Sequence, residues 1–553
     1  MISRFFLALL LLTAFDASAQ KATSPRQPAD LVVYNATVYT VDAAFSKAQA
    51  FAVRGGKFVA VGSSASIRQQ FQGKEEVDAK GQFIYPGFYD AHCHFVGYAI
   101  TLTNADLVGA TSWKATVSRL TAHQQKHPDA VWLVGRGWDQ NDWPGQRFPS
   151  KDTLDRLFPN TPVFMERVDG HAALVNQKAL DLAGITAQTP ISGGVITRDA
   201  QGRLTGLLVD NAVALVESKL PAPTPAEAST ALLQAQRNCL AVGLTSLADA
   251  GLDRSTIELI AGMQAQKNLK LRLYAMVTPT PANLDYYLKR GPIFTDQLTV
   301  CAFKVYADGA LGSRGACLLR PYTDRPTETG FLLRSVAEYR ALAKRLAASK
   351  FQMNTHAIGD SANRLMLDIY GEALAGQKDR RWRIEHAQVV SLADVPKFGK
   401  FGIVPSVQPT HATSDMYWAG ERLGAQRLKT AYAFEALRKQ YGQVALGTDF
   451  PVENINPFYT FHSAVARQDA KNYPTGGFQP ENALSRADAL RGMTTWAAHA
   501  GLEEKRKGQI RKGMLADFIV LKNDLITAPK EQLRSIQVQQ TWIGGEKVFS
   551  FDK

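Results

Sequence analysis

Short apolar runs alternate with longer amphipathic stretches through the middle of the chain, which is the pattern of strands that alternate with helices. Between several of these runs, segments such as 335–350 and 361–375 carry apolar residues at helical spacing. Counting the run that ends at His92, eight runs read as strands, and eight strand–helix units favour a closed parallel barrel. We therefore predict an α/β fold, a (β/α)8 TIM barrel. The other seven predicted strands are 246–248, 271–277, 299–306, 352–356, 382–386, 402–407 and 444–447.

Both ends of the chain are rich in β-forming residues and differ from the middle. Apolar runs over 50–53 and 58–62 flank a Gly55-Gly56 turn, and similar runs occur near the C-terminus over 516–521 and 538–543. Since chain termini often lie close together, we predict one small composite β-sandwich domain built from both termini. The predicted domains are 20–82 for the N-terminal part of the sandwich, 83–500 for the barrel with an insertion around 95–240, and 501–553 for the C-terminal part.

The first residues have the three parts of a secretory signal peptide. Arg4 precedes an apolar run over 5–15, and Ala17-Ser18-Ala19 matches a small-residue cleavage site. We predict cleavage after Ala19, which makes residues 1–19 a signal peptide and the mature protein secreted or periplasmic. No other stretch is long and apolar enough to span a bilayer, so we expect no stable membrane insertion after cleavage. An uncleaved anchor helix is the alternative.

Composition limits the classes of partner. The chain has 553 residues, of which 45% are hydrophobic and 20% charged, so it can bury a core large enough for a barrel and a second domain. Its formal net charge of +13 is spread along the sequence without a long Lys/Arg block, so we do not expect nucleic-acid binding. The four cysteines are scattered and form no Cys-x-x-Cys pair, which argues against a disulfide framework and a thiolate zinc site.

Two histidines follow the short strand predicted over 88–91. Side chains alternate between the faces of a strand, so His92 and His94 point the same way while Cys93 points to the opposite face. Two imidazoles on one face can hold a single metal ion. The structural alternative is a pair of surface histidines at a strand end, which the apolar character of this strand disfavours.

Further residues able to bind a metal lie at the carboxyl ends of later strands. Lys304 lies in an apolar strand, where an unpaired and unmodified lysine would be costly. His356, His386 and Asp449 end three more predicted strands. Each has a structural explanation by itself, such as a satisfied histidine, a buried ion pair or a turn cap. Barrel active sites lie at the carboxyl ends of the strands, however, so the coincidence indicates that all of these residues converge on one site.

Several longer motifs surround these residues and together are highly specific. They are Pro-Gly-Phe-Tyr-Asp-Ala-His-Cys-His at 86–94, Asp-Gly-His at 169–171 with Asn176, Phe-Lys-Val-Tyr-Ala-Asp-Gly-Ala-Leu-Gly-Ser-Arg at 303–314, His-Ala-Ile-Gly-Asp at 356–360, Arg-Ile-Glu-His-Ala at 383–387, Gly-Thr-Asp-Phe-Pro-Val at 447–452 and Lys-Gly-Met-Leu-Ala-Asp-Phe-Ile-Val-Leu at 512–521. With them the chain resembles the metal-dependent amidohydrolase superfamily and, within it, amidohydrolase family 3, the group of N-substituted formamide deformylase-like proteins. The resemblance extends from about residue 30 to the C-terminus.

The resemblance implies a site with two metal ions. It assigns His92 and His94 to one metal, and His356 and His386 to the second. Imidazole and carboxylate ligands suit zinc, so we predict two Zn ions per chain, with Fe, Mn or Ni as alternatives.

Two further residues gain a role from the same resemblance. Lys304 resembles the superfamily's carboxylated lysine, whose carbamate bridges both metals, and Asp449 resembles the aspartate of the last strand. The predicted chemistry is hydrolysis of a C–N bond in a non-peptide or N-acyl/N-formyl amide by metal-activated hydroxide, with Asp449 as the general base. If Lys304 is unmodified, we expect a mononuclear site.

Other functions are open at this point. The superfamily also includes deaminases and lactonases on the same barrel, and a metal-binding pseudoenzyme or binding protein is an alternative of another class. The sequence has no Gly-rich phosphate loop after a strand and no Gly-x-Ser-x-Gly elbow, so neither nucleotide binding nor serine hydrolase chemistry is predicted. The expected partner is a small-molecule amide, and we leave a homodimer open.

Residues in the insertion and in the loop after the Lys304 strand are candidates for contacting the substrate. Each has a structural alternative, such as loop packing, a loop salt bridge, a hydrogen-bonded histidine or aromatic packing. The predicted substrate contacts are His171, Asp308, Ser313, Arg314 and Trp138, the last of which would line a lid together with Trp143.

Overall fold

The computed structural model describes residues 25–551 of the chain. The predicted signal peptide and its cleavage site after Ala19 lie outside the described residues. Among the residues described, no helix has the length and apolar character needed to cross a bilayer.

Eight parallel strands form the centre of the molecule, and each pairs with the next in chain order. Every strand is almost wholly buried, because helices cover the outside of the barrel and side chains fill its interior. The prediction of an α/β fold with a (β/α)8 barrel is confirmed. The strands are β1 (Phe88–Cys93), β2 (Leu244–Leu252), β3 (Arg272–Val277), β4 (Leu298–Tyr306), β5 (Gln352–Ala357), β6 (Arg383–His386), β7 (Val404–Val407) and β8 (Ala445–Leu446).

The barrel closes where the end of β8 meets the end of β1. The Asp449 N–H donates to the His92 carbonyl at 2.8 Å, and the Thr448 N–H donates to the Asp90 carboxylate at 3.0 Å. Gly447 makes this approach feasible, because an added Cβ there would lie 2.5 Å from the His92 backbone nitrogen. The closure therefore brings the last-strand aspartate directly beside the histidines of the first strand.

Helices cover the outside of the barrel, and their first turns carry the expected caps. Thr224 with Glu227, and Ser335 with Glu338, form capping boxes at the starts of two of them. The helices around the barrel are Phe95–Thr101, Pro225–Ala241, Arg254–Ala265, Pro281–Arg290, Val336–Ala347, Asp360–Leu374, Val395–Phe401, Pro409–Asp415, Ala419–Leu428, Phe434–Tyr441, Pro457–Ala466, Arg486–Gly492 and Thr495–Ala500.

Two sheets built from both ends of the chain pack beside the barrel. The Phe51 and Phe518 rings meet edge to face at 4.9 Å in the core of this second domain, so the N-terminal and C-terminal segments share one core. One sheet contains Lys57–Gly62, Ala50–Arg54, Gln27–Tyr34 and Phe71–Asp78 in that order, and the other contains Glu546–Ser550, Val538–Ile543, Phe518–Leu521, Phe83–Pro86, Thr37–Tyr39 and Lys47–Ala48. Since Phe83–Pro86 pairs with Phe518–Leu521, the sandwich continues to Pro86 before the barrel begins.

A separate six-stranded mixed sheet interrupts the barrel between β1 and β2. It lies within the predicted insertion and has its own apolar core, which includes Trp138 and Trp143. Its strands in order are Gly194–Arg198, Leu204–Asp210, Ala172–Val175, Val163–Arg167, Leu133–Trp138 and Ala105–Asp106, and its helices are Trp113–Lys126, Asp152–Leu157, Gln177–Ala183 and Val213–Glu217. All four cysteines of the chain are free in the structure.

Candidate metal centre

His92 lies at the end of β1 with its ring orientation fixed by a carboxylate. Its Nδ1 is 2.5 Å from Glu385 Oε2, and both side chains are fully buried. Because a carboxylate accepts, Nδ1 carries the proton and Nε2 keeps its lone pair. Burial and the neighbouring Lys304 cation lower the pKa of His92 to about 4, so the imidazole is neutral near pH 7. A neutral imidazole with one fixed N–H is the form that binds a metal.

The His94 ring is also held through its Nδ1, in this case by a backbone carbonyl. Its Nδ1 donates to the Ala250 carbonyl at 3.0 Å, which leaves the lone pair on Nε2. That lone pair faces Asp449 Oδ1 at 3.3 Å, and Oδ1 has no hydrogen-bond donor among the described residues. Two acceptor atoms that face each other at this distance repel unless a proton or a metal cation lies between them.

Asp449 is the carboxylate at the centre of the cluster. Its Oδ1 faces the β1 histidines, while its Oδ2 lies 3.6 Å from His411 Nε2 and 4.0 Å from His386 Nδ1. Burial would raise the pKa of Asp449, but the imidazoles of His94, His92 and His386 outweigh it and hold the pKa well below its ordinary value. Its backbone is left-handed, with φ of 61°, a strained conformation that is common at functional sites.

Lys304 extends from β4 toward the same point. Its Nζ lies 3.0 Å from His92 Nε2 and 4.7 Å from the centroid of the Tyr306 ring, and the side chain is almost fully buried. Burial lowers the pKa of Lys304 to about 8, so the ammonium still predominates at pH 7 but far more of the amine is neutral than in an ordinary lysine. A neutral amine is the nucleophile that carbon dioxide needs to form a carbamate.

His356 and His386 complete the predicted histidine set. Their ring centroids are 4.5 Å apart, and burial lowers the pKa of both well below the ordinary value. His356 Nε2 lies 3.4 Å from the Gly309 carbonyl, and His386 Nδ1 lies 2.7 Å from Gln408 Oε1. Each ring therefore donates from one nitrogen to a protein acceptor and keeps a lone pair on the other.

The ligand atoms divide into two groups that share Asp449. One group is His92, His94 and Asp449, the other is His386, His411 and Asp449, and within each group the ligand atoms lie within 4.8 Å of one another. Neutral imidazoles with free lone pairs and an ionised carboxylate are a donor set that suits zinc and related divalent metals. The residues present therefore fit a metal centre.

His411 is the member of this cluster that the sequence reasoning missed. It lies in the helix Pro409–Asp415, which follows β7, and its Nε2 has no hydrogen-bond donor or acceptor among the described residues. The available signal was its place just after a predicted barrel strand. His356, which the resemblance assigns to the second metal, contacts the cluster through its ring instead, so its assignment as a ligand stays a prediction.

Two of the predicted substrate contacts lie at the edge of the cluster. The His171 ring is 4.8 Å from the His356 ring, and its Nδ1 lies 2.7 Å from Asp210 Oδ1. Asp308 is fully buried and accepts the backbone N–H groups of three residues, and burial raises its pKa to about 7. Through these three hydrogen bonds Asp308 holds the loops around the site together. His171 lies beside the histidine cluster.

The structure does not bring the other three predicted contacts to the cluster. Ser313 donates to the Ala310 carbonyl at 3.4 Å, and Arg314 pairs with Asp324 at 2.6 Å. Trp138 is fully buried in the core of the insertion, where its indole N–H donates to the Met165 carbonyl at 2.9 Å. These contacts are structural ones, and a role in substrate binding stays a prediction for all three.

A (β/α)8 barrel with imidazoles and a carboxylate gathered at the carboxyl ends of its strands defines a class, the metal-dependent hydrolases built on this barrel. The family model described as Amidohydrolase family matches residues 75–549. The chain therefore belongs to the amidohydrolase family and is a metal-dependent hydrolase that acts on carbon–nitrogen bonds.

Individual relatives agree with this placement. The chain is 32% identical over 539 residues to Protein LONG AFTER FAR-RED 3 of Arabidopsis thaliana, covering 94% of this chain and 92% of that protein. It is 29% identical over 551 residues to N-substituted formamide deformylase of Arthrobacter pascens, covering 94% and 98%. A crystal structure of an uncharacterized metal-dependent hydrolase from Pyrococcus horikoshii OT3 superposes with a TM-score of 0.74 at 27% identity, covering 90% of this chain and 99% of that one.

Proposed function

We propose that this protein hydrolyses the C–N bond of a small non-peptide amide, an N-acyl or N-formyl amine. The observation that carries the proposal is the position of Asp449, whose carboxylate lies between histidines on both sides, with Oδ1 3.3 Å from His94 Nε2 and Oδ2 3.6 Å from His411 Nε2. Similarity along nearly the whole chain to an N-substituted formamide deformylase supports the choice of an amide substrate.

The site would hold two divalent metals, most simply zinc. His92 and His94 would bind one and His386 the second, to which the resemblance also assigns His356, and Asp449 and Lys304, carboxylated by carbon dioxide, would be further ligands. Carboxylation joins the neutral Lys304 amine to carbon dioxide, forms a carbamate and releases one proton. A divalent metal in this position supplies Lewis-acid chemistry, because it makes water more acidic and polarises a carbonyl.

The chain's own residues supply orientation and proton transfer. Asp449 accepts a proton from the attacking water and returns it to the departing nitrogen, so an amide and water become a carboxylic acid and an amine. Glu385 holds His92 in one tautomer through Nδ1, and Gln408 does the same for His386. Because these partners are buried, the ring orientations are fixed before substrate arrives.

A substrate panel tests this function against the alternatives. N-formyl and N-acetyl derivatives of one aromatic amine, a γ-lactone and adenine would be incubated with the zinc-loaded mature protein. We expect release of the amine from the amides, with Asp449→Asn as the inactive control. Turnover of adenine without turnover of any amide would favour a deaminase, and turnover of the lactone alone would favour a lactonase. If the metal-loaded protein turned over none of these compounds, a binding protein would be favoured.

The export of the protein is a second part of the proposal. The Ala17-Ser18-Ala19 site supports cleavage before Gln20 and a secreted or periplasmic location. N-terminal sequencing of the protein recovered from an expressing bacterium tests it, and a chain that still begins at Met1 would contradict it. Sedimentation of the same material would settle whether the protein is a homodimer.

A further inference from the structure

A cavity of about 360 Å³ opens beside Lys304, outside the carboxyl ends of β2, β3 and β4. Lys304 lines the cavity and its amine also lies 3.0 Å from His92 Nε2, so a molecule in the cavity would be close to the candidate metal centre. A cavity of this size suits part of a small organic molecule. The side chains that matter here are Asn211, Thr278, Lys304, Tyr306 and Arg334.

Arg334 is held at the rim of the cavity by its backbone. Its N–H donates to the Tyr339 hydroxyl at 3.0 Å, and that hydroxyl donates to the Tyr306 carbonyl at 2.9 Å. The preceding residue, Leu333, donates its N–H to the Ala307 carbonyl at 3.0 Å. The segment that carries Arg334 is therefore fastened to the strand that carries Lys304 and Tyr306.

The guanidinium of Arg334, in contrast, is unpaired. Among the residues that the structure describes, it has no hydrogen-bond acceptor and no carboxylate within ion-pair distance, and the anion whose pKa its charge lowers is Glu338, which does not line the cavity. Other arginines near the barrel mouth are engaged, as Arg314 and Arg422 both pair with Asp324. The backbone of Arg334 is anchored, and the five N–H donors of its guanidinium have no protein acceptor. They are therefore available to an anion bound in the cavity.

The remaining lining offers further polar contacts and no carboxylate. The Tyr306 hydroxyl has no partner among the described residues, and the point where Gly251 lacks a Cβ lies 3.7 Å from that hydroxyl and 4.0 Å from Thr278 Oγ1. Gly251 has φ of 91°, a backbone conformation that residues with a side chain rarely adopt. The space beside the Tyr306 hydroxyl is therefore free of a side chain from this position. Glu217 lies near Tyr306 but does not line the cavity.

We propose that Arg334 binds a carboxylate of the substrate in this cavity, so that the preferred substrates are amides that carry an anionic substituent. This rests on the proposed C–N hydrolysis and names the substrate class of the same site. A carboxylate matches the planar fork of the guanidinium with two parallel hydrogen bonds, which a neutral carboxamide cannot reproduce. The amide of the same molecule then extends past Lys304 toward Asp449.

The test compares two compounds that differ only in the anionic group. 4-(Aminomethyl)benzoate and 4-(aminomethyl)benzamide, the amines expected as products, are titrated into the zinc-loaded protein by calorimetry, and their N-formyl derivatives are assayed for turnover. A charge-assisted hydrogen bond predicts that the carboxylate compound binds about 10- to 100-fold more tightly, with a matching preference in kcat/KM.

Variants show whether Arg334 causes that preference. Arg334→Gln should remove it, and Arg334→Lys should keep part of it, because the lysine retains the charge without the fork. Arg340→Gln removes a surface arginine that already pairs with Glu372, and should leave the preference unchanged. Since Arg334 is exposed, these changes should not alter the circular dichroism spectrum.

The outcomes separate this inference from the proposed function. Equal binding of the two amines by the wild-type protein, or a carboxylate preference that survives Arg334→Gln, as direct binding to zinc would give, would overturn the inference. If the preference depends on Arg334 but neither formamide is cleaved, the carboxylate site stands and the proposed hydrolysis of such amides fails. If both formamides are cleaved equally well, the hydrolysis stands and the carboxylate site fails.

Discussion

The Lys304 amine lies 3.0 Å from Nε2 of His92, although their strands are separated by two others around the barrel. Nε2 is the nitrogen that keeps its lone pair, because Glu385 holds the proton on Nδ1. If Lys304 were carboxylated, a carbamate oxygen could lie next to a metal bound by His92 Nε2. An ammonium at that position would be repelled by any metal bound there.

Replacing Lys304 by alanine should therefore abolish most activity. We expect kcat to fall by about 100-fold or more, with weaker binding of at least one metal, because the carbamate proposed at Lys304 would be both a ligand and an anion. Added formate, acetate or bicarbonate should partly restore turnover by occupying the vacated position. Metal content by mass spectrometry and initial rates across a range of added acid measure both effects.

A matched lysine far from the site provides the control for that experiment. Lys344 lies exposed in the helix Val336–Ala347, and Lys344→Ala should change neither turnover nor metal content. A Lys304→Ala protein with full metal content and wild-type turnover would show that Lys304 is only a structural residue.

Asp449→Asn tests proton transfer with little change in shape. The amide cannot accept a proton from water at neutral pH, so we expect kcat to fall by about 100- to 10,000-fold. Because Asp449 is also a proposed metal ligand, the variant is compared with wild type in the metal-free state, where its melting temperature should stay within a few degrees. Steady-state rates and thermal melts are the measurements, and near-normal kcat in a well-folded variant would assign the general base elsewhere.

Most of the fold could be predicted because its signals are local. The eight barrel strands are short apolar runs between amphipathic segments, and the residues at their ends, from His92 to Asp449, are visible in the sequence for that reason. Glu385, the partner of His92, could not be predicted as such, because 293 residues separate the two and only the closed barrel brings them together.

The differences between the sequence-based expectations and the structure also have physical causes. His411 is absent from the predicted ligands because it lies in the helix Pro409–Asp415 just after β7, whereas the predicted ligands lie on the strands or directly at their ends. The position of Trp138 also differs from a lid, because the Gly/Trp-rich segment forms the strand Leu133–Trp138 and a buried core, and its role in substrate binding stays a prediction. The sequence showed that an insertion exists, but its mixed sheet depends on pairing that local patterns do not encode.

His411→Gln measures the contribution of the residue that the sequence did not indicate. Its Nε2 lies 3.6 Å from Asp449 Oδ2, so removing the imidazole should lower kcat/KM by about 10- to 100-fold. His127→Gln, at an exposed position after the helix Trp113–Lys126, is the control and should behave as wild type. Unchanged kcat/KM in His411→Gln would make His411 a neighbour of the centre without a functional role.

Removal and return of metal tests the composition of the centre. After treatment with a chelator, the protein should lose turnover and melt at a lower temperature, because metal binds the folded state in preference to the unfolded state. Titration with zinc should restore both properties at about two equivalents per chain, the number expected from the ligand set. A single equivalent that restores full activity would indicate a mononuclear site, and no bound metal after zinc repletion would contradict the proposal.

The last prediction concerns Glu503, a carboxylate buried at the amino ends of β1 and β4, whereas the candidate metal centre lies at the carboxyl ends of the strands. Its oxygens accept hydrogen bonds from the Tyr89 hydroxyl at 2.8 Å, the Thr299 hydroxyl at 2.7 Å and Lys507 Nζ at 2.8 Å. Burial opposes ionisation, but Lys507 and these hydroxyls outweigh it and lower the pKa of Glu503. Because Lys507 is also buried, Glu503→Gln leaves a cation without its partner and should cost about 3–5 kcal/mol of stability at pH 7.

The pH dependence of that loss follows from the direction of the shift. A lowered pKa in the folded state means that the stabilisation is fully present above the unfolded-state pKa, about 4.3, and is lost as pH falls through the folded-state pKa. The difference in melting temperature between wild type and Glu503→Gln should therefore be large at pH 7 and shrink below about pH 4.3. Glu504→Gln, which breaks only a partly exposed pair with Arg381, should cost at most about 1 kcal/mol. A Glu503→Gln difference that is small at pH 7, or that stays constant down to pH 3, would show that the ionised carboxylate does not stabilise the fold.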